Sequence, residues 1–220
     1  SPPAKSLLTA SYNIWTYDVS NTGYYDDLKT KFNNKRSVLD NIEELNVTEL
    51  SGSLTALGVD SNEIGLVDTA EGTNLTIPGD FTCDGKMLAF VAGDLIIDGR
   101  IENSLGGGNK DACIFVVKGN LTIGQNGRAS SDSVMQYDEI NAYILVDQFI
   151  TMDSDSYNDG LYISGGLHSL VGITMQRYLD SDDRFLYPVF VVNHHSKYGV
   201  FGETLFGTST LVQIVEVAAR

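Results

Sequence analysis

Residues 88–99 read LAFVAGDLIIDG, and residues 113–125 answer with CIFVVKGNLTIGQ. Each passes from a run of β-branched and aromatic residues, through a glycine followed by Asp or Asn, into a second apolar triplet. The runs suit the pleated, half-buried backbone of a strand. Gly and Asx suit a sharp bend, because Gly accepts positive φ and Asx bonds back to nearby backbone. Each phrase therefore reads as two short strands joined at a polar corner.

The phrase recurs. NLTIPGD begins at Asn74, DLIIDGR at Asp94, NLTIGQN at Asn120, QFITMDS at Gln148 and, most weakly, GLHSLVG at Gly166, at intervals of 20, 26, 28 and 18 residues. A second apolar run precedes most copies: AFVAG from Ala89, IFVVKG from Ile114, AYILVD from Ala142 and LYISG from Leu161. The expected corners are Gly93-Asp94, Gly119-Asn120 and Asp147-Gln148. One such unit cannot bury its apolar side alone, whereas a stack of units can. The expectation is a mainly β fold, a short right-handed parallel β-helix with turns about 4.8 Å apart. SLGGGNKD (Ser104 to Asp111) and NGRASSDSVMQYDE (Asn126 to Glu139) read as insertions at its corners. An antiparallel sandwich is the competing fold. Its strands alternate more cleanly, while AFVAGDLII and IFVVKGNLTI are nearly continuous apolar runs.

An open solenoid end exposes unpaired strand edges and needs covering. From Tyr24, YYDDLKTKFNNKRSVLDNIEELN places Leu28, Phe32, Leu39, Ile42 and Leu45 at spacings that fit one helical face. This predicts one or two helices between Asp26 and Leu45, serving as an N-terminal cap. YPVFVVNHHSKYG and TSTLVQIVEVAA read as C-terminal capping strands that leave the solenoid. The expected division is an arm and helical cap over 1–65, a β-helix core over 66–175 and capping strands over 176–220.

The 220 residues are 42% hydrophobic and carry a formal charge of −15. A packed core is within reach of that composition. The acidic balance argues against nucleic-acid binding, which needs clustered Lys and Arg, and against anionic membrane surfaces. No apolar run approaches the roughly 20 residues of a membrane helix, so membrane insertion is not expected. The opening SPPAK lacks the regions of a secretion signal, which fits a processed or trimmed start. The two cysteines, Cys83 and Cys113, are not in CxxC spacing and have no nearby His, which argues against zinc.

Several phrases taken together carry a family resemblance. They are TCDGKMLAFVAGDLII, DACIFVVKGNLTI, YDEINAYILVDQFIT, DGLYISGGL, YPVFVVNHHSKYGVFGETLFG and the late VEVA. Over about residues 80 to 220, the chain resembles the β-helical, secreted surface proteins of candidate-phyla (patescibacterial) genomes. The resemblance implies an extracellular or cell-surface location and a structural or adhesive role. It carries no catalytic activity over. Kinship to bactofilin-like polymerising β-helices is an analogy of fold alone. The implied location makes a Cys83–Cys113 disulfide the expectation, since Cys113 opens its strand, Cys83 precedes the equivalent strand, and stacked turns bring them near. Two buried free thiols are the alternative.

Asn46, Asn74 and Asn120 head Asn-X-Thr sequons and are candidate glycosylation sites. Asn74 and Asn120 fall on the repeat corner, where a ladder of side chains serving turn backbone explains them equally well. DSDSYNDG spaces Asp153, Asp155 and Asp159 as hard cations require, making calcium a candidate ligand. The glycine comes two places late for an EF-hand and Ser164 stands where its bidentate Glu belongs, so a solvated acidic turn competes. His194-His195 alternate across a strand and suit packing or surface roles. His168 has no cysteine or second histidine nearby in sequence. GxSxG, HExxH, a phosphate-binding glycine loop and CxxC do not occur. A β-helical glycosidase or lyase sets carboxylates on one exposed face, and Asp94 and Asp98 fit one edge near Arg100, but the same corner reads Asn120 and Gly124 one turn on, which marks structural repetition instead.

The expected function is an extracellular structural protein, not an enzyme, that self-assembles into a filament, sheath or surface layer, with SPPAKSLLTASYNIW as a strand-donating arm. A surface adhesin that stacks glycans on tyrosines and Trp15 is the alternative, and a carbohydrate-active enzyme the third.

Overall fold

A computed structural model describes residues 12–15, 23–104, 110–124, 136–152, 159–175, 190–207 and 211–214. The chain enters through β1 (Tyr12–Trp15) and α1 (Gly23–Lys35). It then begins a parallel β-solenoid with a partial turn, β2 (Ile42–Leu45) and β3 (Gly52–Ser53). Five complete turns of three strands follow. They are β4 (Ile64–Asp68), β5 (Leu75–Ile77) and β6 (Phe81–Cys83); β7 (Lys86–Val91), β8 (Leu95–Ile97) and β9 (Ile101–Asn103); β10 (Ala112–Val117), β11 (Leu121–Ile123) and β12 (Gln136–Ile140); β13 (Tyr143–Val146), β14 (Phe149–Met152) and β15 (Asp159–Ser164); and β16 (Gly166–Ser169), β17 (Gly172–Met175) and β18 (Phe190–Asn193). The chain ends with α2 (Ser196–Phe206) and β19 (Leu211–Ile214), which pairs antiparallel with β1 outside the solenoid.

Stacking gives three parallel sheets. The first runs β16-β13-β10-β7-β4-β2, the second β17-β14-β11-β8-β5, and the third β18-β15-β12-β9-β6-β3. The short strands of the second sheet alternate in, out, in. Leu75, Ile77, Leu95, Ile97, Leu121 and Ile123 are buried while Thr76, Ile96 and Thr122 between them face outward. The long strands of the first sheet are buried on both faces. Ala89, Val91, Phe115 and Val117 fill the solenoid interior. Leu88, Phe90, Ile114 and Val116 join a second core with Leu28 and Phe32 of α1 and Phe201 and Leu205 of α2. Two-sided burial is why these strands read as continuous apolar runs.

The repeat has three strands where the sequence showed two. The missed third-sheet strands are short, and one of them, QYDEI, closes the region read as an insertion. The fourth copy is displaced by one residue. Ile150 pairs with Leu121, so Phe149, not Gln148, takes the place of Asn120. Ile150 and Met152 are the apolar residues that must face inward, and a one-residue slip would turn both outward. GLHS pairs with β13 in the first sheet, LYIS lies in the third, and GITM is the true second-sheet strand of the last turn.

The N-terminal helix stops at Lys35, and Ile42 and Leu45 belong to β2. It lies along the outer side of the first sheet instead of across an end. FVVN stays in the solenoid as its last third-sheet strand. SKYGVFGETLF, partly read as strand, is α2. Solenoid strands therefore run from Ile42 to Asn193, a wider span than the expected 66–175 core. Among the described residues no helix is long and apolar enough to cross a membrane.

Candidate interaction surface

Cys83 and Cys113 are joined in a disulfide, with Cα atoms 6.2 Å apart and both residues fully buried. Cys83 ends β6 in the third sheet and Cys113 lies in β10 of the first. The bridge therefore crosses the interior and closes the whole turn β7-β8-β9.

The polar corner between the first and second sheets is a ladder. Asn74 Oδ1 accepts the Asp94 N–H at 2.8 Å, Asp94 Oδ1 accepts the Asn120 N–H at 2.7 Å, and Asn120 Oδ1 accepts the Phe149 N–H at 3.3 Å. Each Asx thus holds the backbone one turn further on. The glycines before Asp94 and Asn120 make room for this: a Cβ on Gly93 would collide with Asn74 Oδ1, and one on Gly119 with Asp94 Oδ1. Two sequon asparagines and one candidate catalytic carboxylate are therefore rungs of one backbone-holding ladder. Asn46, just past β2, is exposed. Asp98 is also exposed, and Arg100 turns to Asp80 and Glu102.

Asp147 caps α1 from four turns away. Its carboxylate accepts the Tyr24 N–H at 2.5 Å and the Tyr25 N–H at 3.3 Å. Gly23, at φ +89°, lies where a Cβ would collide with that carboxylate. Burial raises the Asp147 carboxyl above its ordinary range, and the two N–H donors pull it back down.

The most perturbed titratable groups belong to α2 and to the first-sheet strands β13 and β16. The Tyr143 hydroxyl and His168 Nε2 share a hydrogen bond of 2.9 Å, and the Tyr143 ring lies 6.1 Å from that of Tyr198. Burial, reinforced by His194, pushes the His168 imidazole down to about 4. Burial likewise raises the Tyr143 and Tyr198 hydroxyls. It lowers the buried Lys197 amine, against the opposing pull of Asp111. These groups fasten α2 to the first sheet. The partner of His168 is thus a tyrosine one turn back, which the sequence reading did not single out. His194 and His195 sit between β18 and α2, outside any strand.

The second sheet presents a continuous outer face. Thr76, Ile96, Thr122, Thr151 and Thr174 stand in register along it, an uncharged column with one residue per turn. At the last turn this face meets an edge that no other described strand covers. Ile173 pairs with Ile150 and Met175 with Met152. Yet Ile173 is 48% and Met175 41% exposed, where Ile150 and Met152 are at 0%. Phe149, Leu170 and Val171 beside them are exposed as well. The sequence pattern alone does not mark this edge. Its available signal was GLHSLVGITM, ten residues without a charge in a chain that is 20% charged.

Asp153 and Asp155 lie outside the described residues, and Asp159 opens β15. Among the described residues no three His, Cys, Asp or Glu are grouped to hold a metal ion. Trp15 ends β1, opposite Leu211. Comparison with protein-family models, with curated proteins and with solved structures found no match to the chain.

Proposed function

We propose that this chain is an extracellular structural protein that assembles with copies of itself into a filament, sheath or surface layer. The observation that carries this reading is the last turn, where side chains in core register face solvent along an edge that no other described strand pairs with. A regular stack of turns supplies the repeated flat geometry that ordered arrays use. The buried disulfide supports an exterior location, because such bonds persist in oxidising compartments. The resemblance to secreted β-helical surface proteins supports the same location. Negative-stain electron microscopy of the purified, oxidised protein, with and without calcium, tests the reading. Filaments, tubes or sheets support it, and dispersed single particles in both conditions contradict it.

A glycan-binding adhesin is the second reading. It is supported by the threonine column, which sets hydroxyls along a flat face with turns about 4.8 Å apart. Binding on a glycan array that is lost in Thr122→Val supports it, and a blank array removes it.

A further inference from the structure

We propose that the uncovered edge of the last turn is a self-docking surface, against which the same edge of a second copy packs tail to tail about a twofold axis. The inference rests on the self-assembly reading and names the contact that assembly uses.

The first ground is packing. Ile173 and Met175 occupy positions that in the turn below are wholly buried, so their register calls for a further layer of side chains. With Phe149, Leu170 and Val171 they make five of the seven exposed large apolar side chains among the described residues. A gathered apolar patch of this kind marks an interaction site. Among the described residues no strand pairs with the outer edge of β17, so its N–H and C=O groups form a template for another strand.

The second ground is charge. Two copies at −15 repel, so they approach most readily where charge is absent. Gly166 to Met175 contains no Asp, Glu, Lys or Arg. The opposite end exposes Asp40, Glu43 and Glu49 around the partial turn. Head-to-tail stacking would set an apolar edge against those acids and bury their charge unpaired, which is costly. Tail-to-tail stacking buries apolar surface and holds both acidic ends far apart.

The third ground is symmetry. An apolar edge that meets its own twin is self-complementary, the condition for a twofold interface. A twofold axis perpendicular to the second sheet, midway between the two β17 strands, sets them antiparallel, a pairing that a strand edge accepts.

Thr174 is exposed at the middle of β17, and Glu43 is exposed at the other end. In Thr174→Cys, mild oxidation should give a covalent dimer on a non-reducing gel, while Glu43→Cys stays monomeric. By size exclusion with light scattering the wild type should show the mass of two chains. Ile173→Asp should weaken dimerisation roughly tenfold or more, with an unchanged circular dichroism spectrum. The proposal is overturned if Thr174→Cys links no better than Glu43→Cys and Ile173→Asp leaves the mass unaltered. If arrays are nonetheless seen by microscopy, the self-assembly reading stands and only the tail contact falls. If the wild type is monomeric at every concentration, both fall.

Discussion

Replacing both cysteines, Cys83→Ala with Cys113→Ala, removes the one covalent tie across the solenoid. The bridge spans 30 residues of sequence and encloses β7, β8 and β9. Opening a loop of that size returns roughly 12 cal/mol/K to the unfolded chain, which is about 3.6 kcal/mol at 25 °C. For a chain of this length that loss lowers the melting temperature by roughly 7–14 °C. Thermal unfolding followed by circular dichroism, wild type against double variant under non-reducing conditions, reads the difference. Burial adds a kinetic expectation. Both sulfurs are shut from solvent, so dithiothreitol at neutral pH should reduce the native protein no faster than the protein unfolds. A loss below about 1 kcal/mol would refute the loop-entropy reasoning. Rapid reduction without unfolding would refute the buried bridge itself.

Phe90 is buried with its ring 5.9 Å from Tyr25, 5.6 Å from Phe32 and 6.5 Å from Phe206. Phe90→Ala should therefore cost about 3–5 kcal/mol, and hydrogen exchange should show α1 and α2 loosened together. His168 is held down to about 4, below its ordinary 6.5. The unfolded chain therefore takes up its proton first, and stability falls as pH drops through 6.5 and levels off once the folded imidazole also protonates. Between pH 7 and pH 5 the loss is about 2 kcal/mol, read by urea unfolding, and His168→Gln should remove that part of the slope. Gly119→Ala drives a Cβ into Asp94 Oδ1 and the Gly93 carbonyl. It should destabilise by about 1–3 kcal/mol, whereas Gly72→Ala, with open space around it, should answer only to its φ of +72°.

The parts of the fold written in long apolar runs were legible. LAFVAGDLIIDG and CIFVVKGNLTIGQ carry two strands and a corner each, and those strands pair in register. The Asx corners were legible because the ladder needs Gly and Asx at fixed places in successive turns. The third sheet was not, because FTC and IEN are three residues long and offer only Phe81, Cys83 and Ile101 as apolar signal. The slip at QFIT came from matching a polar Gln to Asn120, when the inward Ile150 and Met152 set the register. α2 was hidden by Tyr198, Val200, Phe201 and two glycines, poor helix formers alone. Its buried face against Phe90 and the first sheet overrides that preference. The docking edge was hidden for a different reason. Ile173 and Met175 look like core residues in sequence, and they stand open because, among the described residues, no first- or second-sheet strand lies beyond β16 and β17.

Self-association is the claim most directly open to measurement. Sedimentation velocity of the oxidised wild-type protein over a hundredfold range of concentration should show growth from the 23.9 kDa chain to a dimer and then to larger species. A single species at the mass of one chain throughout that range contradicts the account.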